Sequence, residues 1–241
     1  TSLEPLRTLL EQYGDDFTPN LNIEWEDIEL ETLMSKADLE ARWTFNIPSL
    51  CRQVEGVNGG HLVEIGARPN TGKTSFHASL IAAPGGFAHQ GANCIILCNE
   101  EGYHRVGARY LTAATGMTMR QIKDNPVKAR DLYSPVKERI KIKDATGRDM
   151  AWGESVCKSY KPDIVLLDMG DKFAKMGGFA RTDEALKANA IHARMIAKEH
   201  DCVMFYMSQL SAEAEGKVLL NQSMMEGSRT GKAAEADLMV M

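Results

Sequence analysis

The sequence predicts an α/β fold: a mostly parallel, twisted sheet with helices on both faces. Three observations carry this. Five short runs are almost continuously apolar, namely LVEI (62–65), CIILC (94–98), IVLLD (164–168), CVMFYM (202–207) and DLMVM (237–241). Strands buried on both faces read this way. Helical patterns lie between the runs, and strands alternating with helices build parallel sheets. Finally, the first run passes through a short polar turn straight into a helical stretch, SFHASLIAA (75–83).

Composition sets the frame. With 241 residues, 44% hydrophobic and 25% charged, the chain can bury a core without a disulfide or metal staple. A disordered tail, a collagen-like chain and a Cys-rich secreted scaffold are excluded. No apolar run approaches the roughly 20 residues of a membrane helix. The opening TSLEPLRTLLEQ has no basic start followed by an apolar stretch, so it is not a secretory signal. The expected partners therefore include no membrane. The net charge of −5 excludes a globally basic nucleic-acid footprint. Any such contact must come from local basic loops.

Taken in order, residues 3–13 read as an amphipathic helix, with Leu3, Leu6, Leu10 and Tyr13 on one face and Gly14 to stop it. From Asp15 to Glu40 there are nine acids and one base, Lys36, too acidic and aperiodic for a core. Residues 1–42 are thus expected to be an arm or linker, and 43–241 one folded core. Within the core, Cys94 and Cys98 share a strand face and read as small buried hydrophobes. The five cysteines form no CxxC pair, which suits a reducing, cytoplasmic setting. The clearest helix covers 183–200. Thr182 is its expected N-cap, Asp183 and Glu184 fill the first turn, and Lys198 and His200 the last. Leu186, Ala190, Ala193 and Ala197 form its inner stripe.

The turn after LVEI is Ala67-Arg68-Pro69-Asn70-Thr71-Gly72-Lys73-Thr74. It has the spacing of a phosphate-binding loop, strand–GxxxxGK[ST]–helix, except that Ala67 replaces the first glycine. An alanine keeps the turn if its φ is negative. Residues Ala67 to Ser75 are expected to bind the nucleotide, successive backbone N–H groups among them cradling phosphates at a helix N-terminus. Lys73 places an ammonium on them, and the Thr74 hydroxyl is a ligand for Mg²⁺. ATP and Mg²⁺ are the expected cofactors.

Ligands of parallel sheets sit at the carboxyl ends of the strands. Each apolar run delivers a polar group there. After CIILC come Asn99, Glu100 and Glu101; IVLLD ends in Asp168; after CVMFYM come Ser208 and Gln209. Asp168 is the second candidate Mg²⁺ group. Glu100 is the candidate general base, with Glu101 competing. The Gln209 amide is a candidate sensor of a terminal phosphate. Together they point to a nucleotide hydrolase. A small-nucleotide kinase would need an Arg-rich lid, which is not seen.

These residues resemble the DnaB-like replicative helicases, including the helicase half of phage primase–helicases. ARPNTGKT resembles that family's phosphate loop, and Phe45–Leu50 through Gly59–Leu62 its entry segment. Asn99-Glu100-Glu101 resembles the segment of its catalytic glutamate, Asp168 its strand-ending aspartate, and Ser208-Gln209-Leu210 its Ser-Gln-Leu sensor. Gly227 to Asp237 resembles its DNA-loop motif, although Glu226 to Lys232 is more basic than usual. The resemblance covers roughly residues 43–241. It implies a RecA-like core, a homo-oligomer in the form of a hexameric ring, and ATP-driven movement on single-stranded DNA in the cytoplasm of a bacterium or phage-infected host. It leaves a primase partner open. The family's arginine finger follows the position of Met241, so the chain is expected to be truncated, binding ATP but hydrolysing it poorly. Two basic loops are the expected DNA contacts: Lys172, Lys175 and Arg181, and Arg229 with Lys232. The alternative readings are a RecA-like recombination or repair ATPase and a non-motor ATP-binding assembly protein.

Overall fold

The computed structural model describes residues 41–174, 182–225, 232 and 234–241. The expected helix over 3–13, the acidic stretch 15–40, and Lys175, Arg181 and Arg229 lie outside the described residues.

The chain enters through β1 (Trp43–Thr44), a single helical turn α1 (Pro48–Cys51) and β2 (Gly56–Val57), with β1 and β2 paired antiparallel. The principal sheet follows: β3 (Leu62–Ala67), β4 (Cys94–Cys98), β5 (Ile140–Asp144), β6 (Ile164–Asp168), β7 (Val203–Gln209) and β8 (Leu238–Val240). Its spatial order is β5-β4-β6-β7-β3-β8, and every pairing is parallel. All five predicted apolar runs are strands. The sixth, β5, reads IKIKD: Ile140 is buried while Lys141 is exposed. This alternation belongs to a sheet edge, where lysines discourage further pairing.

Helices cross from strand to strand. They are α2 (Lys73–Ala82), α3 (Tyr103–Thr115), α4 (Met119–Asp124), α5 (Pro126–Lys137), α6 (Met150–Tyr160) and α7 (Thr182–Glu199). Local chemistry sets their starts. A Thr118/Gln121 capping box opens α4, and the Asp149 carboxylate caps α6 at the Trp152 amide. Thr182 is the first residue of α7 rather than its cap. The inner stripe Leu186, Ala190, Ala193 and Ala197 is buried as expected.

Because strand side chains alternate, the sheet has two cores. Val63, Ile65, Cys94, Ile96, Cys98, Phe205 and their neighbours pack under α2 and α3. Leu62, Ile95, Leu97, Val165, Met204 and Tyr206 pack under α6 and α7. Cys94 and Cys98 are buried on one face, as read from sequence, and burial pushes the Cys98 thiol up to about 11. Glu64 is the exception in its strand, a carboxylate 2% exposed on the α7 side.

Candidate active site

Four strands end on the same edge. The turn from Ala67 to Lys73 leaves β3, Glu100 follows β4, Asp168 ends β6 and Gln209 ends β7. Between β3 and β6 lies β7, so the phosphate loop and Asp168 are one strand apart, with Gln209 beside the loop. The register pairs Ala67 with Gln209.

The loop has the backbone its sequence requires. Gly72, preceding α2, has φ +92°, a left-handed value that favours glycine. Asn70 has φ +59°, which Asn tolerates. Ala67 is absent from the positive-φ residues, so alanine costs nothing where glycine is usual. The loop flanks a cleft of about 740 Å³, also lined by Glu100, Arg105, Arg109 and Gln209.

The Lys73 ammonium lies 3.0 Å from a Glu100 oxygen and 4.0 Å from Asp168 Oδ1. The other Glu100 oxygen accepts from Lys172 Nζ at 2.9 Å. Burial raises the Glu100 pKa, but Lys172 and Lys73 outweigh it and hold the carboxyl below its ordinary value. Glu101 does not share this position; Arg109 donates to it at 2.7 Å. Of the two adjacent glutamates, Glu100 is the one across from Lys73.

Asp168 is fully buried. His77, one turn beyond Thr74 on α2, meets its Oδ2 at 3.3 Å and the Tyr110 hydroxyl at 2.9 Å through the other ring nitrogen. Burial opposes ionisation of Asp168, yet His77, then Lys73 and Arg109, pull its pKa below the ordinary value. Oδ1 of Asp168 is buried with no hydrogen-bond partner. A buried ionised oxygen without a donor is costly, and the group beside it is the Lys73 ammonium at 4.0 Å, in the residue that opens α2, with Thr74, 8% exposed, next in the chain. An oxygen-only pair of this kind suits Mg²⁺, so the residues present fit that ion.

A second polar nest lies behind Gln209. Lys232, expected to touch DNA, is 1% exposed. Its ammonium lies 2.8 Å from Asp171, 3.3 Å from Ser208 Oγ and 3.9 Å from Glu64. That expectation is corrected: the ammonium is consumed inside the fold and is not presented to a nucleic-acid phosphate. Lys172 remains half-exposed but turns to Glu100, placing it at the cleft.

Sequence reading brought Lys73, Thr74, Glu100, Asp168 and Gln209 to one edge, and the structure places them there. It missed His77, Arg105, Arg109 and Glu64, and took Asp171 as part of the loop after Asp168 offered to DNA, whereas Asp171 meets Lys232 and the Gln209 backbone N–H. Two signals were readable. Arg105 and Arg109 are four residues apart on one face of α3, and Glu101 stands four residues before Arg105, ahead of the helix. Glu64 is a charge within an apolar run.

With this geometry in place, comparison with known proteins is direct. The family described as DnaB-like helicase C terminal domain matches residues 44–237. Among solved structures, a DnaB-like replicative helicase described with its interactions with primase superposes with a TM-score of 0.73 at 19% identity. That match covers 98% of this chain and 60% of that one. A second solved structure, described as an ATPase domain, gives 0.71 at 17% identity, covering 99% of this chain and 82% of that one. At these identities the likenesses establish the fold. The chain thus spans 60% of the length of the first. No curated protein matches the chain.

Proposed function

Because the chain belongs to the DnaB-like helicase C-terminal domain family, we propose that it is an ATP-hydrolysing motor domain that moves along single-stranded DNA during replication. On this reading residues 43–241 are the motor core and 1–42 a preceding arm. The working form is a homo-oligomeric ring, with a hexamer as the expected state.

The observation that carries the reading is the placement of Glu100 across the cleft from Lys73, 3.0 Å away, with Asp168 behind them. A mere phosphate binder needs the loop and the lysine; it has no use for an ionised carboxylate opposite. When ATP enters, the main-chain amides of residues 70–75 and the Lys73 ammonium take the phosphates. Lys73 then exchanges Glu100 for phosphate oxygens, and Glu100 is released toward water. The water oxygen attacks the terminal phosphorus, the bond to the β–γ bridging oxygen breaks, and the water proton passes to Glu100. Thr74 and Asp168 would hold Mg²⁺, which when bound neutralises phosphate charge. His77 keeps Asp168 ionised and oriented. Gln209 offers its amide to the terminal phosphate. Arg109 holds Glu101 away from the water.

Calorimetry with Mg²⁺ and ATP analogues, paired with phosphate release, tests this. Lys73→Ala is expected to lose nucleotide uptake. Glu100→Gln should take up nucleotide as before while turnover falls by about 10²–10⁴-fold. No uptake by the unmodified chain, or unchanged uptake by Lys73→Ala, would end the motor reading.

A further inference from the structure

We propose that Lys232 is a positioning residue for the terminal-phosphate sensor: its buried ammonium fixes Asp171, and Asp171 fixes Gln209. The inference rests on the reading of Gln209 as the group that meets the terminal phosphate.

The nest joins elements far apart in the chain. Lys232 precedes β8, Asp171 sits in the turn after β6, Ser208 and Gln209 end β7, and Glu64 lies in β3. Lys232 Nζ donates to Asp171 Oδ1 at 2.8 Å and to Ser208 Oγ at 3.3 Å. Ser208 Oγ donates to Glu64 Oε1 at 2.9 Å. The second Asp171 oxygen accepts from the backbone N–H of Gln209 at 3.3 Å. One ammonium therefore orients the carboxylate that holds the sensor's own main chain. Burial raises the Glu64 pKa despite Lys232 and Ser208.

The arrangement is costly unless it does something. An ammonium 1% exposed, beside carboxylates 2% and 12% exposed, gives up hydration that a surface lysine keeps. An apolar side chain would fill the space more cheaply. What the charges supply is direction: Asp171 has one oxygen for Lys232 and one for Gln209. The cleft side of Gln209 stays open to nucleotide, while its backbone is tied from behind. Without the ammonium, Asp171 loses its buried partner and the reason to face β7.

The test separates sensing from binding. Lys232→Met keeps the length of the stem and removes the charge. The pair Lys232→Met with Asp171→Asn removes that ion pair, so Asp171 is not left as an unpartnered carboxylate, while Glu64 keeps the Ser208 hydroxyl as its donor. Calorimetry in Mg²⁺ with ADP, and separately with a non-hydrolysable ATP analogue, gives an affinity ratio that reports the terminal phosphate alone. Both variants are expected to bind ADP within about twofold of the unmodified chain. The triphosphate-to-diphosphate ratio should fall about tenfold, the worth of one charge-assisted hydrogen bond. Binding of an oligo-dT strand should keep its salt dependence. An unchanged ratio in either variant, equal loss of both nucleotides in the double variant, or a flattened salt dependence overturns the inference. If the unmodified chain takes up neither nucleotide, the motor reading falls and this inference with it; uptake with an unchanged ratio sinks this inference alone.

Discussion

Glu100 sits between two ammonium groups, and their fates on nucleotide binding differ. Lys73 is 13% exposed and belongs to the phosphate loop; Lys172 is 47% exposed and rides on the turn after β6. Once phosphates claim Lys73, Lys172 is the cation left on Glu100. A base must be ionised to accept a proton, and Lys172 favours that form. Removing Lys172 therefore raises the Glu100 pKa, and turnover is lost at a higher pH on the acid side. Lys172→Met is expected to move the acid limb of the pH–rate profile upward and leave the alkaline limb in place. An acid limb that does not move would free Lys172 for the DNA role read from sequence.

At the scale of elements, the turn at 170–172 connects the cleft to the polar nest. Asp171 faces the nest and Lys172 faces Glu100. The turn is seated by Gly170, where a Cβ would lie 2.5 Å from the Tyr206 ring. Tyr206 is 1% exposed and its ring cannot swing away. Gly170→Ala is expected to cost about 1–3 kcal/mol through overpacking and to lower turnover together with the melting temperature. Thermal unfolding followed alongside phosphate release checks this; a variant that melts and turns over like the unmodified chain would show that the turn has room to shift. This connection also shows why the sequence was only partly readable. The apolar runs announced themselves as strands, four of them buried on both faces and β8 half-buried at the sheet edge, and the polar end residues of β4, β6 and β7 followed from sheet geometry. β5 did not, since its lysines report one wet face. Lys232 was misplaced for a deeper reason. A lysine after glycines reads as surface charge, because only tertiary packing brings Glu64, Asp171 and Ser208 around it. His77 was hidden likewise: a histidine on an apolar helix gives no sign that a buried aspartate, 91 residues away, waits for it.

At the scale of the whole molecule, the charge balance decides how DNA could be held. The chain carries a net charge of −5, and with Lys232 turned inward Arg229 is the other residue of the second expected DNA segment. A single copy so charged attracts a polyanion weakly. Several copies around one axis would concentrate their basic loops on a common path while acidic surface faces outward. Strand binding is therefore expected to depend on nucleotide-driven assembly and to weaken steeply with salt. Single strands lose affinity with a slope of about −0.7 per phosphate contact. Arg229→Ala should flatten that slope by about one contact's share per subunit engaged while leaving ATP affinity alone. Arg229 and Lys232 are three residues apart in the chain, one proposed to meet DNA and the other tied to the sensor strand. Fluorescence anisotropy of a labelled oligo-dT across a salt series, with and without Mg²⁺ and an ATP analogue, checks the expectation. An Arg229→Ala slope equal to that of the unmodified chain would remove this segment from the DNA path and leave Lys232 a sensor support with no strand to report.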